Sequence, residues 1–256
     1  MSNLKLRQSS AKSTQALIEQ LRDDSAYYGE IGSALMSNSD VGVLLDNPKN
    51  FGKAKEKTKA MLEGSYLHAL LIEPAKAEAF QIVDATTRNT KEYKAKIVDS
   101  GQEILLLRDE AEELKLLAQS FRANYNASEL IYNLSAEYEQ PMIGEVNGML
   151  FKGKADVVTD EYIIDIKTTS SLLDFKFSAK KYHYDSQAYI YSTILNKPIK
   201  FVVIDKTTHL VGIFNTSEEF LLRGSAKVDK AIDIYEEYYG ENPTGNISQL
   251  TIFETI

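Results

Sequence analysis

Apolar residues recur along the chain in two rhythms. In the first half the spacing is helical. Ser13–Leu21 carries Ala16, Leu17 and Leu21 on one side. Ser39–Leu45 predicts a short helix ended by Asn47-Pro48, and Lys55–Ile72 a longer one stopped by Pro74. Arg108–Tyr125 sets Leu114, Leu117, Ala118 and Phe121 on one stripe, the pattern of a surface helix packed on a core. In the second half the rhythm changes. Glu137–Glu145, Met149–Val158 and Tyr162–Lys167 read as strands, and Phe177–Leu195 as a helix rich in Tyr. Lys200–Lys206 and His209–Phe214 predict a hairpin around Thr207-Thr208. Ser217–Tyr239 predicts a closing helix, with Thr216 and Glu219 at capping-box spacing. Helices followed by a mixed sheet with flanking helices predict an α/β or α+β chain with a helical N-terminal part.

Composition narrows this picture. The 256 residues are 43% hydrophobic and 26% charged, which excludes a disordered chain, a collagen and a coiled-coil rod. The chain reads as one domain over 1–256. Residues 1–130 form a mostly helical part carrying His68, and 131–256 the sheet core. Lys and Arg number 29 against 37 Asp and Glu, a net charge of −8. That argues against coating nucleic acid through an overall field, yet leaves room for a local basic groove and for carboxylates around a divalent cation. Zero Cys excludes disulfides, thiolate metal sites and a cysteine nucleophile. No run approaches the ~18–20 apolar residues of a membrane span, and the start, MSNLKLRQSS, lacks the apolar stretch of a leader. The expectation is a soluble cytoplasmic protein with no membrane partner.

The segment FKGKADVVTDEYIIDIKTTSS, residues 151–171, carries the chemistry. Asp165 and Lys167 sit two apart on a strand and so project from one face. If the strands form a hairpin around Thr159–Tyr162, Val158 pairs with Ile163, Val157 with Ile164, and Asp156 falls opposite Asp165. Directly opposed residues have Cβ atoms about 4.5–5.5 Å apart. Two carboxylates at that distance, among Val157, Val158, Ile163, Ile164 and Ile166, need a shared proton or a cation. Oxygen ligands suit Mg²⁺ or Mn²⁺. Lys167 would set an ammonium beside the metal, and the Ile166 carbonyl could reach it from an irregular strand. A solvated surface hairpin with two Asp and a pairing Lys is the alternative. His68, in an apolar helical stretch, is by itself more often a hydrogen-bonded core residue than a ligand. Gln187 and Tyr191 share a helix face with Tyr184. Of Glu137, Glu139 and Glu145, one could be an extra acid near the metal, but an exposed sheet edge is the safer expectation. Thr168 and Thr169 suit either a loop cap or a phosphate contact. His183 and His209 read as structural or exposed.

GKADVV followed by IIDIKTT resembles the core of the PD-(D/E)XK nuclease superfamily, and more narrowly the RecE-like, exodeoxyribonuclease VIII-like group of phage nucleases. MSNSDVGVLLDNPKNF at 36–51, EGSYLHALLIEP at 63–74 and YHYDSQAYIY at 182–191 resemble further motifs of that group, in the group's order. The resemblance implies a restriction-endonuclease-like core, a mixed central sheet flanked by helices. It implies His68, Asp156, Asp165 and the Ile166 carbonyl as metal ligands, with Lys167 catalytic. Gln187 and Tyr191 would sit beside the site, holding DNA or the lysine. Lys154 stands where the group often has Arg and would contact phosphate without the bidentate fork.

The implied activity is Mg²⁺-dependent exonuclease digestion of linear double-stranded DNA from an end, in phage-type recombination or repair, with Mn²⁺ as a substitute. A basic run, Lys49, Lys53, Lys55, Lys57 and Lys59, broken by Glu56, and a second group, Lys176, Lys180 and Lys181, could line a DNA channel. Lys53, Lys57, Lys180, Lys154 and Thr168 are the candidate DNA contacts. Solvated helix faces are the plainer account of such runs. A homo-oligomeric ring and a RecT-like single-strand annealing partner are further implications of the resemblance. Two alternatives stand beside it. One is an endonuclease or a Cas4-like or RecB-like nuclease module, and the absence of Cys counts against the version of it that carries an iron–sulfur cluster. The other is a non-catalytic DNA-binding or assembly protein, against which the intact Asp156, Asp165 and Lys167 count.

Overall fold

The computed structural model describes residues 11–251. The MSNLKLRQSS start, read above as carrying no leader, lies outside them. Short helices lead the chain: α1 (Ala11–Gln20), α2 (Asp24–Tyr28), α3 (Glu30–Ser33) and α4 (Asn38–Asp46). Ser37 caps α4 through a capping box with Asp40. Then come α5 (Lys59–Ile72), α6 (Pro74–Glu78), β1 (Ile82–Val83), α7 (Lys91–Ser100), β2 (Leu106–Leu107), α8 (Arg108–Ala123) and α9 (Tyr125–Ile131). The second half holds β3 (Glu137–Val146), β4 (Met149–Val158), β5 (Ile163–Thr169), α10 (Phe175–Lys181), α11 (Tyr184–Leu195), β6 (Ile199–Asp205), β7 (Val211–Asn215) and α12 (Glu218–Tyr238).

β3 to β7 form one sheet in sequence order, antiparallel except for the parallel pair β5–β6. One face buries Phe151, Ala155, Ile163, Phe201 and Val203 under α4, α11 and α12. The other buries Val157, Ile164, Ile166, Val202 and Ile204 under α5, α8 and α9. The α/β class with a mixed sheet between helices is as the sequence predicts. Where β5 leaves the edge of β4, Met36 takes its place: its N–H donates to Leu150 O and its carbonyl accepts from Lys152 N.

Four boundaries differ from the sequence reading. Residues 55–58 are not helical, because Thr58 Oγ1 accepts the Met61 N–H and starts α5 later. The stripe of α8 stops at Ala123, where Asn124 caps α9 by accepting the Ala127 N–H. The helix expected over 177–195 is two helices, broken where His183 takes a left-handed backbone, φ +57°. His183 Nε2 lies 3.1 Å from Asp46 Oδ1 and its carbonyl accepts from Asn38, so the break is tied to α4. Finally, Ser217 rather than Thr216 caps α12, because its Oγ accepts the Phe220 N–H while Thr216 donates to the Ile199 carbonyl.

Candidate metal centre

β3 and β4 are joined by Asn147-Gly148, both at positive φ, which suits a tight hairpin turn. The register runs from Val146 opposite Met149 down to Glu137 opposite Val158, and one position breaks it. Glu139 has φ +50°, uncommon for a residue with a side chain, between the pairs Tyr138–Val157 and Gln140–Ala155. Across from it β4 also switches face: Ala155 lies in one core and Val157 in the other. Such an irregularity re-aims side chains. Here it turns Glu139 and Asp156 together toward α5.

On the other side of β4 the ladder to β5 contains Val158–Ile163 and Val157–Ile164, as the hairpin reading expects, and then ends. Asp156 and Asp165 do not continue it as an opposed pair. The Asp156 carboxylate accepts the Ile166 N–H at 2.7 Å, so the strands part at the two acids, whose charges repel. The Ile166 N–H is thus occupied, and its apolar side chain points into the core under α5.

α5 supplies His68 to this opening. Its Nε2 lies 3.1 Å from Asp156 Oδ1 and 3.4 Å from Glu139 Oε1, and its Nδ1 3.9 Å from Glu73 Oε2. One ligand atom each from His68, Glu139 and Asp156 falls within 4.8 Å of the others. Asp165 and Lys167 form an adjoining pair. Lys167 Nζ is 2.6 Å from Asp165 Oδ2 and 4.9 Å from the centre of the Tyr184 ring. Gln187 Nε2 donates to Asp165 Oδ1 at 2.6 Å. Tyr191 is 7% exposed, donates to the Lys154 carbonyl at 3.3 Å, and packs its ring on Gly153, where a Cβ would meet it at 2.7 Å.

These groups shift one another's protonation. Burial opposes the imidazolium of His68, but the Asp156 carboxylate and then Glu73 and Glu139 outweigh it and push the group up to about 10. Burial also opposes ionisation of Asp156, yet the His68 charge, Lys167 and the Ile166 amide hold that carboxyl below its ordinary range. Glu139 is pushed up to about 7, chiefly by burial, and Asp165 to about 6 for the same reason, with the Asp156 charge adding to it. Burial disfavours charged Lys167, but Asp165 and Asp156 keep it an ammonium with its pKa raised.

The residues present fit a divalent metal. His68 Nε2 is buried with no hydrogen-bond partner, beside two carboxylates. One imidazole nitrogen with carboxylate oxygens is a donor set that Mn²⁺ and Mg²⁺ accept.

Of the residues expected from sequence, the structure gathers His68, Asp156, Asp165, Lys167 and Gln187. Gln187 holds Asp165 rather than the lysine. Tyr191 supports the strand from within the core. Lys154 is beside the site but engaged: its Nζ is 2.7 Å from Asp24 Oδ1 and 4.9 Å from the Tyr27 ring. Thr168 lies on the opposite sheet face from Asp165 and Lys167 by strand alternation. Lys53, Lys57 and Lys180 are exposed and are not among the groups meeting at the site. Glu73 was missed; Glu139, one of three acids offered as an extra acid near the metal, sits at the site and not on the exposed edge that was the safer expectation. For Glu139 a signal existed: counting back from the Asn147-Gly148 turn sets it opposite Asp156.

No curated protein matches the chain by sequence. Among solved structures, a protein of Eubacterium rectale described as a candidate exonuclease is similar at TM-score 0.62 and 16% identity, over 83% of this chain and 85% of its own. A phage-related exonuclease of Haemophilus somnus aligns at TM-score 0.32 and 14% identity, over 66% and 92%, too low a score to carry an argument. The first likeness speaks for the fold alone. Residues 45–242 match the family described as PDDEXK-like domain of unknown function (DUF3799). That match spans most of the chain, including His68, Glu139, Asp156, Asp165 and Lys167, and so the chain belongs to this PDDEXK-like family and has a nuclease-type fold.

Proposed function

We propose that the chain is a Mg²⁺-dependent deoxyribonuclease that digests linear duplex DNA from an end, in recombination or repair. The observation that carries this is the meeting of His68, Glu139 and Asp156 within 4.8 Å, with the Asp165–Lys167 pair on the next strand, in a PDDEXK-like chain. The fold shared with a protein described as a candidate exonuclease supports the same reading.

When bound, a divalent ion supplies an activated water and neutralises phosphate charge. The chain's own groups do the rest. His68, Glu139 and Asp156 would hold the ion, with Asp165 adjoining. The Asp165 and Asp156 carboxylates beside Lys167 favour its charged form. Lys167 holds the attacking water in line or neutralises a phosphate oxygen as charge develops there. Gln187 fixes Asp165, and through it Lys167. Burial of Val157, Ile164 and Ile166 around the acids keeps the local dielectric low, which strengthens each of these contacts.

The test incubates linear and covalently closed circular duplex with the protein, with Mg²⁺ or with chelator, beside Lys167→Ala and His68→Ala. The reading requires loss of linear DNA alone, dependent on metal and on Lys167, and a weakened metal response in His68→Ala. Cutting of circles would make it an endonuclease, and shifted but intact DNA in every lane a binding protein.

A further inference from the structure

After β5 delivers Asp165 and Lys167 to the site, the chain runs into α10 and reaches α11 through Tyr182. This stretch places apolar rings in water. Phe177 is 64% exposed and Tyr182 55%. α10 buries Phe175 and Ala179 and turns Lys176, Phe177, Lys180 and Lys181 outward. Lys176 Nζ lies 5.0 Å from the Phe177 ring centre, and Lys181 Nζ 5.4 Å from that of Tyr182. Among the described residues no carboxylate pairs with Lys176, Lys180 or Lys181. The rings also lead inward: Tyr182 is 6.1 Å from Tyr184, which lies 4.9 Å from Lys167 Nζ.

We propose that Phe177 and Tyr182, with Lys176, Lys180 and Lys181, form a stacking platform for single-stranded nucleic acid at the entrance to the metal centre. Three unpaired ammonium groups on a chain of net charge −8 select an anionic partner. Flat rings interleaved with them select a partner that offers both phosphates and open base faces, which an intact duplex keeps stacked inside itself. The inference rests on the nuclease reading in one respect: a nuclease that digests one strand of a duplex leaves the other unpaired beside its site. Tyr184, between Tyr182 and Lys167, is what connects the platform to the site.

The experiment reads binding in chelator, where no cleavage occurs, so failure of the platform and failure of the nuclease reading appear in separate samples. Fluorescence anisotropy follows a labelled oligothymidylate of about 16 nucleotides, a length within the range such surfaces cover. Phe177→Ala and Tyr182→Ala should each weaken binding about tenfold, and Phe177→Tyr should retain it. Lys176→Gln with Lys180→Gln should flatten the slope of log affinity against log salt by about 0.7 per lysine. The chain has no Trp, so Phe177→Trp gives a single indole. Its fluorescence should be quenched by the oligonucleotide, whereas an indole at the exposed remote position, Val98→Trp, should not. Circular dichroism confirms that each variant is folded. Undiminished binding in both alanine variants, or an unquenched indole, overturns the proposal. So does a self-association that Phe177→Ala abolishes while oligonucleotide binding stays the same, which would make the face a protein contact.

Discussion

Replacing Glu139 by glutamine separates what this carboxylate does for the metal from what it does to the fold. Without metal, Glu139 is a half-buried acid facing Asp156 and Glu73, and its pKa is pushed up to about 7. A raised carboxyl favours the protonated folded state. The penalty for ionising it is absent below its unfolded value near 4.5, grows as pH rises through about 7, and is complete above that. Over that interval it amounts to about 3 kcal/mol. Glu139→Gln removes the penalty and keeps the side chain's volume. At pH 8 in chelator the variant should therefore melt above the parent, by several degrees at about 2–4 °C per kcal/mol for a chain of this size. At pH 4.5 the two should coincide. Adding Mn²⁺ should reverse the order, because the parent gains stability by binding the ion and the variant has lost one ligand. Differential scanning calorimetry at both pH values, with chelator and with Mn²⁺, checks each limb. A variant less stable than the parent at pH 8 in chelator, or one that Mn²⁺ stabilises as much as the parent, would refute the reasoning.

Three further outcomes follow from the same geometry. His68 is pushed up to about 10 in the metal-free state, so binding Mn²⁺ at pH 7.5 should release close to one proton per ion; titration calorimetry in two buffers of different ionisation enthalpy measures it, and no release would mean a neutral His68. Gly153→Ala brings a Cβ to 2.7 Å from the buried Tyr191 ring, and urea unfolding should show a loss of about 1–3 kcal/mol. Asp24 holds Lys154 and also Lys76, so Asp24→Asn should free Lys154 for phosphate and steepen the salt dependence of DNA binding by about 0.9. An unchanged slope would assign Lys154 to holding the α2 segment on the sheet.

The parts of the fold legible in sequence are those where one physical signal dominates. Val157 and Val158 pair with Ile164 and Ile163 because the short Thr159–Tyr162 turn, closed by the Thr159 N–H donating to the Tyr162 carbonyl, sets the β4–β5 register. The stripe of α8 is legible because its helical spacing is one such signal. The break at His183 was hidden, because its left-handed backbone is held by Asp46 and Asn38, more than a hundred residues away in sequence. β1, α7 and β2 were unread because the strands are two residues long and pair in parallel across the helix between them. At the site, His68 was legible through the resemblance, whereas for Glu139 the turn count gives the partner, Asp156, but not the backbone that turns it inward. Regular alternation makes a strand acid look like an edge residue, and only the left-handed φ turns it inward.

That irregularity has a physical sense. A regular β3–β4–β5 sheet would set acids side by side with their ladder hydrogen bonds intact, and their repulsion would work against the ladder itself. Here the β3–β4 ladder lapses at Glu139 and Asp156, and the β4–β5 ladder ends before Asp165, which stays paired with Phe201 of β6. The Ile166 amide neutralises part of Asp156, Gln187 and Lys167 take Asp165, and His68 enters the opening between strands. Two cations, His68 and Lys167, then hold three acids in the metal-free protein. They are not equivalent. Lys167 has no lone pair while charged, and the Asp165 and Asp156 carboxylates favour that charge. His68 can yield its proton and become a donor atom, so a divalent ion held there would take the place of that proton. The site thus sets an exchangeable positive charge, on His68, between the Asp156 and Glu139 carboxylates, where a divalent ion would also be held.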